Sequence, residues 1–224
     1  MVLVSVVAAH LPKVVARVGT AVDRVRLAAT GPSAEPDPLA GHVFRARDLP
    51  VRPTTRPGTG VVPPECRNPA TSQFVPTQLT IPGIVTDAPV LALPRDSTNH
   101  PGVAPVDESG KHEFAWDRPG LMPGTVGGNV LFNAHTWPWD STPALGNLML
   151  LGLQVGDVIL VEGAGAHLCY RVTDRVQEPA DSSFARYYTQ IGPPQLAIMV
   201  CSGIRRGPED WADRTTWYAT PVTA

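Results

Sequence analysis

Lysine, basic runs and long apolar stretches are all scarce in this chain of 224 residues. Only Lys13 and Lys111 contribute lysine to its 18 basic residues, and the formal net charge is −2. The chain therefore lacks the electrostatic footprint of a nucleic-acid-binding protein. It also lacks the polybasic segment that would steer a protein to an anionic membrane surface.

Cysteine is equally rare, with Cys66, Cys169 and Cys201 alone. None forms a C-x-x-C pair and the histidine spacing matches no ligand template, so the sequence predicts no metal site. Three cysteines cannot all pair within one chain, so at least one thiol stays free. We interpret Cys66, in a proline-rich stretch, as exposed, and Cys169, in an apolar segment, as a small buried residue.

The amino terminus lacks a segment long enough to cross a bilayer. Met1–Ala9 is apolar, but His10, Pro12 and Lys13 interrupt it before the roughly 18 to 20 residues that a spanning helix needs. The basic leader and small-residue cleavage site of a secretory signal are missing as well. Apolar residues near helical spacing favour an N-terminal amphipathic helix within residues 1–30, resting on a membrane or on the rest of the protein.

Proline is abundant in one stretch, and regular apolar alternation follows it. Residues 31–77 hold ten of the 25 prolines without helical or strand periodicity, which predicts a disordered or extended linker. After residue 77, short apolar segments alternate with Gly, Pro and Asp turns. The segments predicted as strands are Leu79–Ile81, Ala88–Leu93, Asn129–His135, Asp157–Val161, Leu168–Thr173, Leu196–Cys201 and Arg214–Ala219.

The short spacing of these segments predicts an all-β fold. It favours a closed barrel of seven to eight strands with one or two short helices, spanning residues 78–222. A short helix is predicted over Thr142–Leu153, because Leu145, Met149 and Leu153 would share one apolar face.

Three side chains suited to nucleophilic catalysis lie at the ends of predicted strands. His135 and Cys201 each end one, and Arg214 begins another. A thiol of ordinary pKa is only a few per cent ionised at neutral pH, so Cys201 needs a base or a cation beside it. His135 and Arg214 can supply both. Arg205 and Arg206, in the segment between Cys201 and Arg214, are the alternatives to Arg214.

Four stretches of the predicted barrel resemble sortases, the cysteine transpeptidases of Gram-positive cell surfaces. The order His, Cys, Arg and the apolar strand before the cysteine carry the likeness, and the proportions resemble the compact actinobacterial classes E and F. The stretches are Leu79–Ile84 with Ala88–Val90, Trp116–Leu131, Leu153–Val161, and Leu196–Cys201 with Arg214 beyond.

The resemblance implies a reaction and a place in the cell. Cys201 would attack the Thr–Gly bond of an LPXTG-like sorting signal, His135 would protonate the leaving amine, and Arg214 would stabilise the oxyanion. An amine from a cell-wall precursor or a pilin would then resolve the thioester, attaching proteins to the cell wall without a cofactor. The implied location is the extracytoplasmic face of the cell membrane or the cell surface, which is compatible with membrane association.

Two positions depart from the family pattern. Sortases usually carry Thr directly before the cysteine and Gly before the histidine, where this chain has Val200 and Ala134. With Ser202, these are the expected substrate-binding positions, and a lost hydroxyl donor would slow the reaction by about 10² to 10³. Two alternatives therefore stay open: a cysteine hydrolase of the same fold, and a catalytically weak peptide-binding module. An L,D-transpeptidase is disfavoured because Met199 occupies the place of that family's histidine.

Overall fold

A computed structural model of the chain describes residues 64–138 and 142–222. The predicted helix within residues 1–30 and the linker up to residue 63 lie outside this part. In chain order the elements are a 3-10 turn at Pro64–Cys66, β1 Gln78–Ile81, β2 Val85–Leu93, a 3-10 turn at Gly110–His112, β3 Phe114–Asp117, β4 Asn129–Ala134, α1 Leu145–Gly152, β5 Val158–Gly163, β6 Ala166–Pro179, β7 Gln195–Gly207 and β8 Asp210–Pro221.

The eight strands close into one barrel in the order β1, β2, β3, β4, β7, β8, β6, β5. The β2–β3 and β4–β7 pairs are parallel, whereas the other neighbours are antiparallel. Closure leaves no free sheet edge around the ring. The predicted all-β closed barrel is confirmed, and so is a short helix, α1, within the predicted range.

Alternation along the strands builds the core, because successive side chains point to opposite faces. In β7, Leu196, Ile198 and Val200 belong to the main apolar cluster inside the barrel. Ala197 instead joins a smaller cluster with Tyr218 on the other face. This alternation fixes which face each residue of the candidate site occupies.

One strand, β3, was missing from the predicted segments. Its residues Phe114, Ala115, Trp116 and Asp117 are all buried, so the period-2 pattern that marks a half-exposed strand does not exist there. The strands β6, β7 and β8 also extend well beyond their predicted ends.

The expectation that Cys66 is exposed was wrong, whereas Cys169 is buried as predicted, at 1% exposed. Cys66 is buried, with only 5% of its surface exposed, and it forms a disulfide with Cys169 of β6. The segment that follows Cys66 also bonds to the barrel: the Ala70 and Thr77 amides donate to backbone carbonyls of His167 and Glu162. Residues 64–77 are thus fastened to the barrel by one covalent link and by backbone hydrogen bonds.

Within residues 64–138 and 142–222, no helix has the length and apolar character needed to span a membrane.

Candidate active site

Cys201 and Arg214 face each other across two neighbouring strands. They are directly opposed in the antiparallel register of β7 and β8. Because Val200 points into the core, Cys201 points to the outer face, where it is half-buried and is the free thiol among the chain's three cysteines. Opposed residues of an antiparallel pair have Cβ atoms about 4.5 to 5.5 Å apart, so the thiol of Cys201 and the aliphatic part of the Arg214 side chain are neighbours.

His135 reaches the same place from the other side of β7. Strand β4 runs parallel to β7 with Ala134 opposite Val200, so His135 follows β4 at the level of Cys201. His135 and Cys201 line the same two cavities, and Arg214 lines the first of them. The structure therefore brings together the three residues that the sequence keeps apart.

Hydrogen bonds tie the histidine segment to the cysteine strand and to helix α1. The hydroxyl of Thr136 donates to the carbonyl of Cys201 at 2.6 Å, and the Gly146 amide at the start of α1 donates to the carbonyl of His135 at 2.8 Å. A Cβ at Gly146 would lie 2.5 Å from that carbonyl, so only glycine fits there. Sequence reasoning missed Thr136, although its position beside His135 was a signal that could have been followed.

Asn147 of α1 holds the next residue of the histidine segment. Its side-chain oxygen accepts from the Trp137 amide at 2.9 Å, and its side-chain nitrogen donates to the Trp137 carbonyl at 2.8 Å. The indole of Trp137 meets the imidazole of His135 edge to face, with ring centroids 6.1 Å apart. Helix α1 thus supports the segment that carries the imidazole.

We predict that Thr136→Val lowers kcat of the proposed reaction by about 10- to 100-fold. Valine has the same shape but no donor, so the carbonyl of Cys201 loses its partner and the thiol its fixed position. Steady-state kinetics with a peptide substrate measure the effect, and Thr136→Ser, which keeps the hydroxyl, is the matched control. Equal kcat for the valine and serine variants would contradict the prediction.

Two opposing effects act on the Cys201 thiol. Burial raises its pKa, because a thiolate is poorly solvated in a partly enclosed site, and the charge of Arg214 lowers it. The guanidinium is itself oriented by the backbone: its Nη1 donates to the carbonyls of Trp211 at 3.1 Å and Asp213 at 2.9 Å. Burial is the larger effect, so activation of this thiol depends on the groups beside it.

The other two arginines considered for the site occupy different positions. Arg206 is more than half exposed and pairs with Asp210 at 2.9 Å across the β7–β8 turn. Arg205 lines the second cavity, whereas Arg214 lines the first beside Cys201. The β7–β8 register and the lining of the first cavity both favour Arg214 as the cation next to the thiol.

The residues expected to bind substrate lie mainly inside the barrel. Ala134 and Val200 line the first cavity, yet both belong to the apolar core. Ser202 is 2% exposed, and its hydroxyl accepts a hydrogen bond from the Thr215 hydroxyl at 2.9 Å. It lines neither of the two cavities described here, so its position does not support a contact with substrate.

Two cavities meet at Val103, His135 and Cys201. The first, about 520 Å³, has a wall formed by the β6–β7 connection, with Phe184, Tyr187 and Tyr188. The second, about 420 Å³, lies toward the β7–β8 turn and is walled by Trp137, Trp211, Arg205 and Glu209. No group of three metal-ligating side chains occurs in the described part of the chain.

The solved structures to which this chain is similar are sortases. No protein-family model and no curated protein sequence matches the chain. Among solved structures, sortase C1 of Streptococcus agalactiae in complex with MTSET is 16% identical over 66% of this chain and 67% of that one, with a TM-score of 0.48. Sortase C-1 of Actinomyces oris is 15% identical over 66% and 73%, with a TM-score of 0.47. Sortase A of Corynebacterium diphtheriae is 16% identical over 68% and 63%, with a TM-score of 0.48. All three of these solved structures are sortases.

Proposed function

We propose that this protein is a sortase-like cysteine transpeptidase. It cleaves the Thr–Gly bond of an LPXTG-like sorting signal and transfers the acyl group to an amine, attaching proteins to the cell wall. The observation that carries the proposal is the placement of Cys201 and His135 where two cavities meet, with Arg214 opposite the thiol in register. A transpeptidase needs this arrangement, because two substrates must reach one sulfur in turn.

The first cavity suits the acyl donor. Phe184, Tyr187 and Tyr188 give it an aromatic wall, and Val103 and Met199 add apolar surface. Apolar residues of a sorting signal, such as leucine and proline, gain free energy on leaving water for such a lining. Phe184 adopts a φ of 49°, which a bulky side chain rarely takes, so the backbone of this wall is held in a special conformation at the cavity.

The first half of the reaction forms a thioester. The Cys201 thiolate attacks the carbonyl carbon of the Thr–Gly bond, and the charge that develops on the oxygen is stabilised by the fixed guanidinium of Arg214. The C–N bond then breaks, and protonated His135 gives its proton to the departing amine. The products are an acyl-thioester on Cys201 and a peptide with a free glycine amine.

The second half uses the second cavity. An incoming amine attacks the thioester carbonyl and transfers its proton to His135, and the Cys201 thiolate leaves. Glu209 and the indoles of Trp137 and Trp211 line this cavity and suit a cationic amine before it loses its proton. The amine source, a cell-wall precursor or a pilin lysine, is part of the proposal.

The disulfide supports an extracytoplasmic location. Disulfides form and persist in oxidising compartments, and that between Cys66 and Cys169 spans 103 residues of the chain. We therefore place the reaction at the extracytoplasmic face of the cell membrane or at the cell surface.

A peptide assay on the full chain tests the function. The protein is incubated with a quenched peptide containing an LPXTG core, with and without triglycine as the amine. We expect a new amide product only when triglycine is present, and no product from Cys201→Ala. Mass spectrometry of the protein during turnover should show the acyl group of the peptide bound to Cys201 as a thioester.

The other outcomes separate the alternatives. Release of the acyl group to water at the same rate with and without triglycine indicates a cysteine hydrolase. Saturable peptide binding without turnover indicates a binding module. Either result would contradict transpeptidation, as would equal turnover by the wild type and Cys201→Ala.

A further inference from the structure

We propose that the segment Pro101–Val106, called the strap below, positions His135 by fixing which nitrogen of its imidazole carries the proton. The strap belongs to the connection between β2 and β3 and crosses the outer face of β4. The inference rests on the proposed function, because it assigns a task within the same site. It makes the strap a positioning element for the acid–base residue, acting through the carbonyl of Ala104.

The first observation is a hydrogen bond from the imidazole to the backbone of the strap. Nε2 of His135 lies 2.7 Å from the carbonyl oxygen of Ala104, which is 2% exposed. A carbonyl oxygen has no proton to give, so Nε2 must be the donor. In the neutral ring Nδ1 is then the unprotonated nitrogen, and it is the nitrogen left to give a proton in the first half-reaction and to take one in the second.

The second observation is that β4 holds the strap at a neighbouring point. The side-chain nitrogen of Asn133 donates to the carbonyl of Gly102 at 2.9 Å. Asn133 and His135 are two residues apart and so share a face, and they bind strap carbonyls that are also two residues apart. The strap is therefore held on β4 by two side chains in matching register.

The path of the strap is fixed before it reaches His135. Arg95 forms a forked ion pair with Asp117 at the end of β3, with Nε 3.0 Å and Nη2 2.6 Å from the carboxylate oxygens. A Cβ at Gly102 would lie 2.5 Å from the carbonyl oxygen of Pro94. Glycine is required at this position because the backbone of the strap passes so close to Pro94, at the start of the β2–β3 connection.

The chain beyond the strap reaches the other neighbour of the imidazole. Nζ of Lys111 lies 5.1 Å from the ring centroid of Trp137 and 2.8 Å from a carboxylate oxygen of Glu108. Trp137 in turn makes its edge-to-face contact with His135. The same β2–β3 connection thus touches both a nitrogen of the ring and the aromatic side chain packed against it.

Two variants loosen the strap from opposite sides. Asn133→Ala removes the bond to Gly102, and Gly102→Ala forces the strap away from Pro94. Histidine tautomers are read from long-range ¹H–¹⁵N spectra of ¹⁵N-histidine protein at a pH where the rings are neutral, with His135 assigned by its loss in His135→Gln. Ser97→Ala, an exposed residue of the same connection, is the control.

The expected wild-type result is a single tautomer protonated at Nε2. Both variants should give a mixture of tautomers and lower kcat by about tenfold, because the nitrogen that exchanges the proton is misplaced in part of the molecules. Ser97→Ala should change neither. Asn133→Gln, which can still donate, should recover part of the lost kcat.

A wild-type spectrum showing Nδ1 protonated, or an equal mixture, would overturn the proposal even if both variants failed to fold. Folded variants with unchanged tautomer and kcat would overturn it too. If the wild-type protein shows the expected tautomer but no peptide turnover, the role of the strap in positioning His135 is supported and transpeptidation is contradicted. Failure of the strap proposal and failure of the proposed function are therefore distinguishable.

Discussion

Replacing Arg214 by glutamine should lower kcat/KM for the sorting-signal peptide by about 10² to 10³. That is the loss typical for removal of one preorganised donor from a developing oxyanion. The guanidinium is held by the carbonyls of Trp211 and Asp213 and lies opposite Cys201, so its charge is already in place before the substrate binds. Glutamine keeps a polar donor on a shorter side chain but no charge. Arg214→Lys keeps the charge without the fork, and an intermediate value is expected for it.

The same substitution should change how the thiol responds to pH. Arg214 lowers the pKa of Cys201 against the larger raising effect of burial. Removing the charge leaves burial unopposed, so the pKa rises further and less thiolate is present at neutral pH. The rate of alkylation by iodoacetamide at pH 7 should therefore fall, and its increase with pH should move to higher pH.

Arg206→Gln is the matched control, because Arg206 lies on the same hairpin but points to solvent and pairs with Asp210. Its kcat/KM and alkylation profile should stay at wild-type values. A larger loss for Arg205→Gln than for Arg214→Gln would assign the oxyanion to the second cavity and contradict the role given to Arg214.

The second large effect concerns stability. Reducing the disulfide between Cys66 and Cys169 should lower the free energy of unfolding by about 3 to 5 kcal/mol. The bond closes a loop of 103 residues, and a cross-link over so long a loop removes much entropy from the unfolded chain. Denaturant titration of the full chain with and without reductant measures the difference.

The double variant Cys66→Ala with Cys169→Ala should match the reduced wild type and respond no further to reductant. Cys201→Ser is the control for the free thiol, and it should keep the full effect of reduction. A difference below about 1 kcal/mol between the oxidised and reduced wild type would mean that the segment before β1 is held by packing and backbone hydrogen bonds alone.

The sequence predicted the barrel well where an apolar segment is long enough to mark a strand. β7 is an example, because Leu196–Val200 is a continuous apolar run that supplies Leu196, Ile198 and Val200 to the main core. The sequence-based prediction failed at β3, because a strand buried on both faces shows no alternation and its four residues are too few for any other signal. The disulfide was missed for a different reason: no local pattern reports a contact between residues 103 positions apart.

The candidate site shows the same division. The residue types of Cys201, His135 and Arg214, and their places at strand ends, were readable from the chain, and their joint catalytic role stays a prediction. The choice between Arg214 and its neighbours depends on the β7–β8 register, which pairs Arg214 with Cys201. The hydrogen bond from the Thr136 hydroxyl to the carbonyl of Cys201, and that from His135 to the carbonyl of Ala104, depend on the tertiary structure.

The sequence by itself determined the all-β class, most of the strands and the chemistry available to the protein, because alternation and side-chain type are local properties of a chain. Only the tertiary structure decided the partner of Cys66, the face on which Ser202 lies and the support of His135 by the strap. Each of these depends on strand order and register, which result from the packing of the whole barrel and leave no periodic trace in any one segment.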